Sequence, residues 1–242
     1  MKIDLAILAK SLLALALTTL VAFAFVPPIP QALSYHNFAD QNAFCSIPHF
    51  WNVVSNLPFL FVSILGATYI RKRPDLPNRN SWVVFVVGVG LVALGSSYYH
   101  WNPNNQTLVW DRMPMTIGFI AALTAICSEV FGKSVERLLW IFLAIGVASV
   151  CVWWAYDDLR FYAWVQFFPF LALFVMLVFD QGRIRVKHRV VYAILYYVVA
   201  KVFEHWDAAV YSLSGDSMSG HAIKHVFAAL GTWELIRRLP KL

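Results

Sequence analysis

The residues in this sequence best suited to chemistry are histidines in two separate places. His221 and His225 are four residues apart, so on a helix they share one face about one turn apart. His100 ends a different apolar segment and would supply a third imidazole. Three neutral nitrogen ligands with one open coordination position are typical of a catalytic zinc site rather than a structural one. We therefore predict that His100, His221 and His225 bind zinc.

Two more polar residues lie at the same ends of the apolar segments as the histidines. Asp111 begins the segment after His100, and Ser96 precedes His100 by four residues, on the same helical face. Zinc lowers the pKa of a bound water to about 7, so a nearby carboxylate can accept its proton. A serine hydroxyl can donate a hydrogen bond to a developing oxyanion. Asp111 and Ser96 are the predicted catalytic residues.

Each of these residues also has a structural interpretation. A histidine or serine inside a membrane often makes an interhelical hydrogen bond, and an aspartate at a helix N-terminus is stabilised by the helix dipole. Lys201, Glu204 and Asp207 follow one another at three-residue spacing, which favours a buried ion pair. Alternatively, Glu204 or Asp207 supports the metal ligands from behind.

The elements that must position these residues are apolar and long. Of the 242 residues, 60% are hydrophobic and only 13% are charged, too few charges to cover a soluble domain of this length. The lengths of the apolar runs fit membrane-spanning helices, and no barrel-like alternation is present. The predicted fold is an all-α integral membrane protein, a seven-helix bundle with one additional N-terminal helix. The eight predicted segments are 5–26, 51–70, 81–100, 109–131, 138–156, 161–179, 190–212 and 219–236.

The first segment has two interpretations. It is either a retained helix, with Lys2 and Lys10 at its cytoplasmic end, or a secretory signal cleaved near Ser34. We favour the retained helix because the apolar stretch is long for a signal peptide. The predicted division is an N-terminal segment over residues 1–34 and a seven-helix membrane domain over residues 35–242.

Charge in the loops predicts the orientation. Cations concentrate in alternate loops, at 71–79, 133–137, 183–189 and 237–241, whereas the other set has Arg160 as its only clear cation. The positive-inside rule places the first set in the cytoplasm, so the histidines lie near the outer face. In a bacterium this is the inner membrane, with the site towards the periplasm. The net charge of +6 then reflects topology and not nucleic-acid binding.

Three blocks of the sequence resemble the alkaline ceramidase family, within the wider CREST group of seven-helix membrane hydrolases. The resemblance covers about residues 35–238 and implies a zinc amidase that cleaves the N-acyl bond of ceramide or a related membrane lipid. It implies His100, His221 and His225 as zinc ligands, Asp111 as proton acceptor and Ser96 beside the water or oxyanion. The blocks are FWNVVSN at 50–56, GSSYYH at 95–100 with Asp111 eleven residues later, and GHAIKH at 220–225.

The sequence departs from the family pattern in two places. His49 stands where eukaryotic ceramidases have a calcium-binding glutamate, and Asp40 is the main acid left upstream, which argues against a calcium site. Arg112 stands where the family has an acidic residue. The short stretch at 35–40 resembles bacterial members. Because many bacteria lack ceramide, another N-acyl lipid is an open choice of substrate.

Two other functions compete with the enzyme. One is a seven-helix lipid receptor or sensor, in which the zinc is structural and hydrolysis is not significant. The other is a transporter that uses Lys201, Glu204 and Asp207 as a charge relay. A transporter needs a polar path through both halves of the membrane, but the cytoplasmic halves of the segments are almost wholly apolar. Hydrolysis is therefore the favoured prediction.

Overall fold

A computed structural model describes residues 4–237 and residue 239. Within these residues the regular structure is helical, which confirms the all-α prediction; Phe44 and Ile47 form an isolated bridge. Two short 3-10 helices, Leu33–His36 and Lys133–Leu138, join the longer elements. The α-helices are α1 Leu5–Phe25, α2 Phe50–Val54, α3 Leu57–Arg71, α4 Arg79–Trp101, α5 Asn105–Phe131, α6 Leu139–Tyr156, α7 Arg160–Val178, α8 Lys187–His205, α9 Asp207–Leu213 and α10 Gly220–Arg237.

Six helical stretches of the described chain are long and apolar enough to cross a membrane. They indicate a multi-pass membrane protein. Helices α8 and α10 are also long, at 19 and 18 residues, but charged residues interrupt their apolar sequences. The six stretches are Leu5–Phe25, Phe50–Arg71, Arg79–Trp101, Asn105–Phe131, Lys133–Tyr156 and Arg160–Val178. The seven-helix count with an extra N-terminal helix therefore stays a prediction.

Two predicted segments are each divided in the structure. The segment at 51–70 becomes α2 and α3, and α3 has Pro58 in its first turn. Proline lacks the backbone N–H that a continuing helix needs and disfavours helical conformation in the residue before it. The segment at 190–212 begins at Lys187 and breaks at Trp206, after which α9 begins. Apolar composition alone does not reveal either break.

Close contacts between backbones bring the site-bearing helices together. A Cβ atom on Gly95 of α4 would collide with the carbonyl oxygen of Trp110 on α5. A Cβ atom on Gly220 of α10 would collide in the same way with the carbonyl oxygen of Phe203 on α8. Helix α4 packs against α5 and α3, and α10 packs against α8 and α3. Both glycines lie within five residues of a predicted metal ligand.

The segment between α1 and α2 is fixed to the start of α7. The backbone N–H of Leu159 donates to the carbonyl oxygen of Ile29 at 2.8 Å, and the Arg160 guanidinium donates to the carbonyl oxygen of Val26 at 2.6 Å. Arg160 also pairs with Asp158 at 2.6 Å. Its hydrogen bond lowers the pKa of the Asp158 carboxyl to about 2. These bonds hold the segment across the end of the bundle where the histidines lie.

Candidate metal centre

The three predicted ligands meet in the structure. His100 is in the last turn of α4, His221 and His225 are in the first two turns of α10, and all three are buried. The Nε2 atoms of His100 and His221 are 3.2 Å apart, and one nitrogen from each residue lies within 4.8 Å of the others. Nitrogen ligands of a tetrahedral zinc are about 3.3 Å apart. The cluster could therefore hold a metal ion.

Hydrogen bonding at His225 supports the fit to a cation. Ser55 Oγ lies 2.8 Å from Nδ1 of His225 and 3.3 Å from the carbonyl oxygen of Asn52. A hydroxyl that donates to that carbonyl must accept from the imidazole, which fixes the proton on Nδ1. The lone pair of His225 Nε2 is then free for a metal. His100 adds a buried Nδ1 for which the described residues provide no hydrogen-bond partner.

A cation from α10 lies beside the cluster. Lys224 Nζ is 2.7 Å from His221 Nε2 and 3.0 Å from a carboxylate oxygen of Glu204 on α8. Glu204 also pairs with Lys201, so the ion pair predicted within α8 is present. Glu204 thus reaches His221 through Lys224, but this contact is to Nε2, the nitrogen that faces His100, and not to the other ring nitrogen that a residue supporting a metal ligand contacts. The i,i+3 spacing of His221 and Lys224 was the sequence signal for this contact.

Asp207 does not take part in that ion pair. One of its carboxylate oxygens accepts the backbone N–H of His221 at 2.7 Å, and the other accepts the backbone N–H of Ala39 at 2.9 Å. A carboxylate at this position satisfies an N–H of the first helical turn, and its charge is favourable at a helix N-terminus. Asp207 therefore fixes the start of α10, and with it the position of His221.

The two predicted catalytic residues face each other across α4 and α5. Asp111 and Ser96 are both buried and line the same cavity as His225. The Ser96 side chain lies next to the Asp111 carboxylate. The structure therefore brings together the residues that the sequence singled out. Their catalytic roles remain predictions.

A cavity of about 340 Å³ extends from these residues into the bundle. Helices α3, α4, α5, α7, α8 and α10 contribute to its wall, and most of the lining is apolar. Cavities of this size and character bind small apolar ligands. The apolar lining includes Phe59, Phe85, Phe119, Phe170, Leu173 and Leu235.

The segment before α2 covers the cluster with an apolar residue. The ring centroid of buried Phe38 is 4.7 Å from that of His100 and 4.4 Å from that of His221. His36, in the same segment, bonds to the Tyr99 hydroxyl and to Asn105, each at 2.8 Å. Nothing in the spacing of Phe38 marked it in the sequence.

Asp40 and His49 form hydrogen bonds within the same segment before α2. The Asp40 carboxylate accepts backbone N–H groups from Asn42 at 3.0 Å and Trp51 at 3.1 Å. Nδ1 of His49 lies 2.9 Å from the carbonyl oxygen of Asp40. Asp40 is fully buried, and one of its oxygens holds the start of the FWN block while the other holds Asn42.

Comparison with models of known protein families identifies the family of the chain. The family model described as Ceramidase matches residues 34–238. A search of curated proteins finds no match. The matched region contains all three histidines, Asp111 and Ser96, and it begins after α1. Because the match covers most of its length, the chain belongs to the ceramidase family.

Proposed function

We propose that this protein is a zinc-dependent amidohydrolase that cleaves the N-acyl amide bond of ceramide or a related N-acyl lipid. One observation carries the proposal: three buried imidazoles meet beside a mostly apolar cavity that also contains Asp111 and Ser96. Such a cavity suits an acyl chain. Membership of the ceramidase family supports a hydrolase that acts on a lipid.

The donor set favours zinc. Three imidazoles with no thiolate suit a catalytic zinc site, whereas calcium needs six or more oxygen ligands. When bound, zinc supplies a Lewis acid for the amide carbonyl and lowers the pKa of a bound water. Calcium is not part of the proposal, because backbone N–H groups already occupy the oxygens of Asp40.

Asp111 and Ser96 would carry the proton transfers and the polar stabilisation. Asp111 accepts a proton from the attacking water, and the water oxygen bonds to the amide carbon. Ser96 keeps the carboxylate oriented and donates a hydrogen bond where negative charge develops on the carbonyl oxygen. As the C–N bond breaks, Asp111 returns its proton to the leaving nitrogen. The products are a fatty acid and an amine.

The proposed topology includes α8 and α10 as membrane spans, giving a seven-helix domain over residues 35–242 behind a retained N-terminal helix. Polar residues that face the interior of a bundle are typical of functional sites in membranes. Glu204 pairs with Lys201 and with Lys224 beside the histidines. The site then lies near the outer face, which in a bacterium is the periplasmic face of the inner membrane.

Zinc content and fatty-acid release from the purified protein test the proposal together. Zinc-loaded protein in detergent micelles is incubated with a panel of ceramides and N-acyl amino lipids, and released fatty acid is measured by mass spectrometry. We expect release by wild type and none by His221→Ala. His205→Ala is the matched control, because His205 is an exposed histidine on neighbouring α8. Stoichiometric zinc without cleavage of any substrate would instead favour a receptor with a structural zinc.

A further inference from the structure

Arg112 is a buried cation at the polar end of the cavity. Its guanidinium carbon lies 4.1 Å from the ring centroid of Trp153, 4.6 Å from that of Tyr162 and 5.7 Å from that of Tyr35. Nη2 donates to the side-chain oxygen of Gln31 at 2.6 Å. Nη1 is buried and has no hydrogen-bond partner among the described residues. The arginine is therefore held in an aromatic cage with part of its donor capacity unused.

Arg112 forms no ion pair among the described residues. Its close partners are three aromatic rings and one amide, all of them uncharged. Among the charged residues that line the cavity, Glu204 pairs with both lysines, Lys201 and Lys224. The remaining carboxylate, Asp111, precedes Arg112 in the chain and interacts with it electrostatically without forming an ion pair. Cation–π contacts offset only part of the cost of burying a charge, so the unpartnered Nη1 remains available to a closer anion.

The cage lies at the end of the cavity away from the apolar lining. Tyr162 is in the first turn of α7 and Trp153 is in the last turn of α6, both at the end of the bundle where the histidines lie. Leu173 on α7 and Leu235 on α10 line the cavity further along the same helices, towards the other end. An acyl chain that fills the apolar part places its amide near the histidines. The headgroup attached to the amide nitrogen is then directed to Arg112.

We propose that Arg112 binds an acidic group of the substrate's headgroup, so that the preferred substrates are N-acyl lipids with a carboxylate or a similar oxyanion on the amine side. This inference rests on the proposed function. Guanidinium is suited to this task, because its N–H groups match the geometry of two carboxylate oxygens. A neutral ceramide headgroup would offer the buried Nη1 no charged partner.

Tyr35 is the most exposed side of the cage around Arg112. Its ring is the most distant of the three, its residue is 38% exposed, and it lies in a four-residue 3-10 helix. Trp153 and Tyr162 are buried at 2% and 4%. Tyr35 is therefore the side of the cage that can turn away at the smallest cost in packing, and it also lines the cavity.

A pair of substrates that share an acyl chain but differ in the charge of the headgroup tests the proposal in wild type. N-palmitoylglycine and N-palmitoylethanolamine have the same acyl chain and the same amide, but only the first has a carboxylate. We expect zinc-loaded wild type to favour the glycine compound by about 10-fold or more in kcat/KM, as for a charge-assisted hydrogen bond. Equal rates would overturn the proposal without any variant.

Variants then identify the residue responsible. Arg112→Gln should remove the preference for the glycine compound. Arg71→Gln should keep it, because Arg71 is an exposed arginine and the last residue of α3, at the end of that helix away from Ser55. A preference that survives in Arg112→Gln would refute the assignment. Free palmitate distinguishes the source of the anion. If palmitate inhibits wild type but not Arg112→Gln, while the two substrates are cleaved equally, the arginine binds the product carboxylate and the headgroup assignment is wrong.

A binding measurement separates this inference from the proposed function. In N-hexadecylsulfonylglycine and N-hexadecylsulfonylethanolamine a sulfonyl group replaces the cleavable carbonyl. We expect the glycine compound to bind the full-length protein about 10-fold or more tightly, with Arg112→Gln binding both alike. Discrimination in binding without cleavage of either palmitoyl substrate would sink the hydrolase and keep the anion site. Cleavage of both palmitoyl substrates at equal rates, with equal binding of the two sulfonyl compounds, would support the hydrolase and overturn the anion site.

Discussion

Ser55 and His225 are 170 residues apart in the sequence, yet Ser55 Oγ lies 2.8 Å from His225 Nδ1. The serine lies at the break between α2 and α3, and the histidine lies in the second turn of α10. This bond fixes which imidazole nitrogen carries the proton and leaves the other for a metal. A residue that supports a ligand from behind in this way usually influences metal affinity strongly.

Replacement of Ser55 by alanine should weaken zinc binding. We expect a loss of about 10–100-fold in affinity, since the imidazole loses the partner that sets its tautomer and orientation. Competition with a fluorescent chelator measures the affinity. Ser63→Ala is the control, because Ser63 on α3 donates only to the backbone carbonyl of Val86. Unchanged zinc affinity in Ser55→Ala would mean that this contact is packing alone.

Asp111→Asn should separate catalysis from metal binding. The amide side chain cannot accept the proton of the attacking water, so we expect kcat to fall by about 10²–10⁴-fold while zinc content stays that of wild type. Fatty-acid release and elemental analysis of the same preparation measure the two quantities. Asp75→Asn serves as control, because Asp75 is 59% exposed in the loop between α3 and α4. Full activity in Asp111→Asn would remove the residue from the proposed chemistry.

The sequence predicts the helices and the histidine cluster well because both depend on short-range patterns. Long apolar runs mark the helices, and the alternation of helix direction brings the end of α4 and the start of α10 to one end of the bundle. Contacts between distant segments leave no such pattern. The position of Phe38 over His100 and His221 depends on how the 27–49 segment crosses the bundle, and no local spacing encodes that path.

Some features missed from the sequence did have a local signal. The segment predicted to begin at 109 begins at Asn105, because the Asn104 side chain accepts the backbone N–H groups of Gln106 and Thr107. Thr107 in turn accepts the backbone N–H of Asn104, which completes a capping box. An asparagine followed three residues later by a threonine is a helix-start signal in the sequence. The predicted start at 109 followed the apolar composition instead. The capping box therefore adds one turn to the helix before Asp111.

The Asp158–Arg160 pair predicts how stability depends on pH. In the folded protein the pKa of Asp158 is lowered to about 2 by the hydrogen bond from Arg160, whereas an unfolded aspartate has a pKa of about 3.9. The stabilisation is therefore fully present above about pH 5 and is lost as the pH falls towards about 2. Thermal unfolding of wild type and Asp158→Asn should differ by a constant amount from about pH 8 to 5. That difference should shrink below about pH 4, and a difference that grows on acidification would contradict this assignment.

Two glycines on neighbouring helices offer a matched test of how the site is assembled. A Cβ atom at Gly95 would collide with the Trp110 backbone, whereas a Cβ atom at Gly118 of α5 has no atom within 4 Å. Gly95→Ala should push α4 away from α5, separate Ser96 from Asp111 and lower both thermal stability and activity. Gly118→Ala should leave thermal stability unchanged or raise it by about 0.5–1 kcal/mol, because alanine is the better helix former. Thermal unfolding is compared between the two variants, and fatty-acid release is measured for Gly95→Ala against wild type, because Gly118 lines the cavity. Equal thermal stability of the two variants, with full activity of Gly95→Ala, would show that the close approach of α4 and α5 does not position the site.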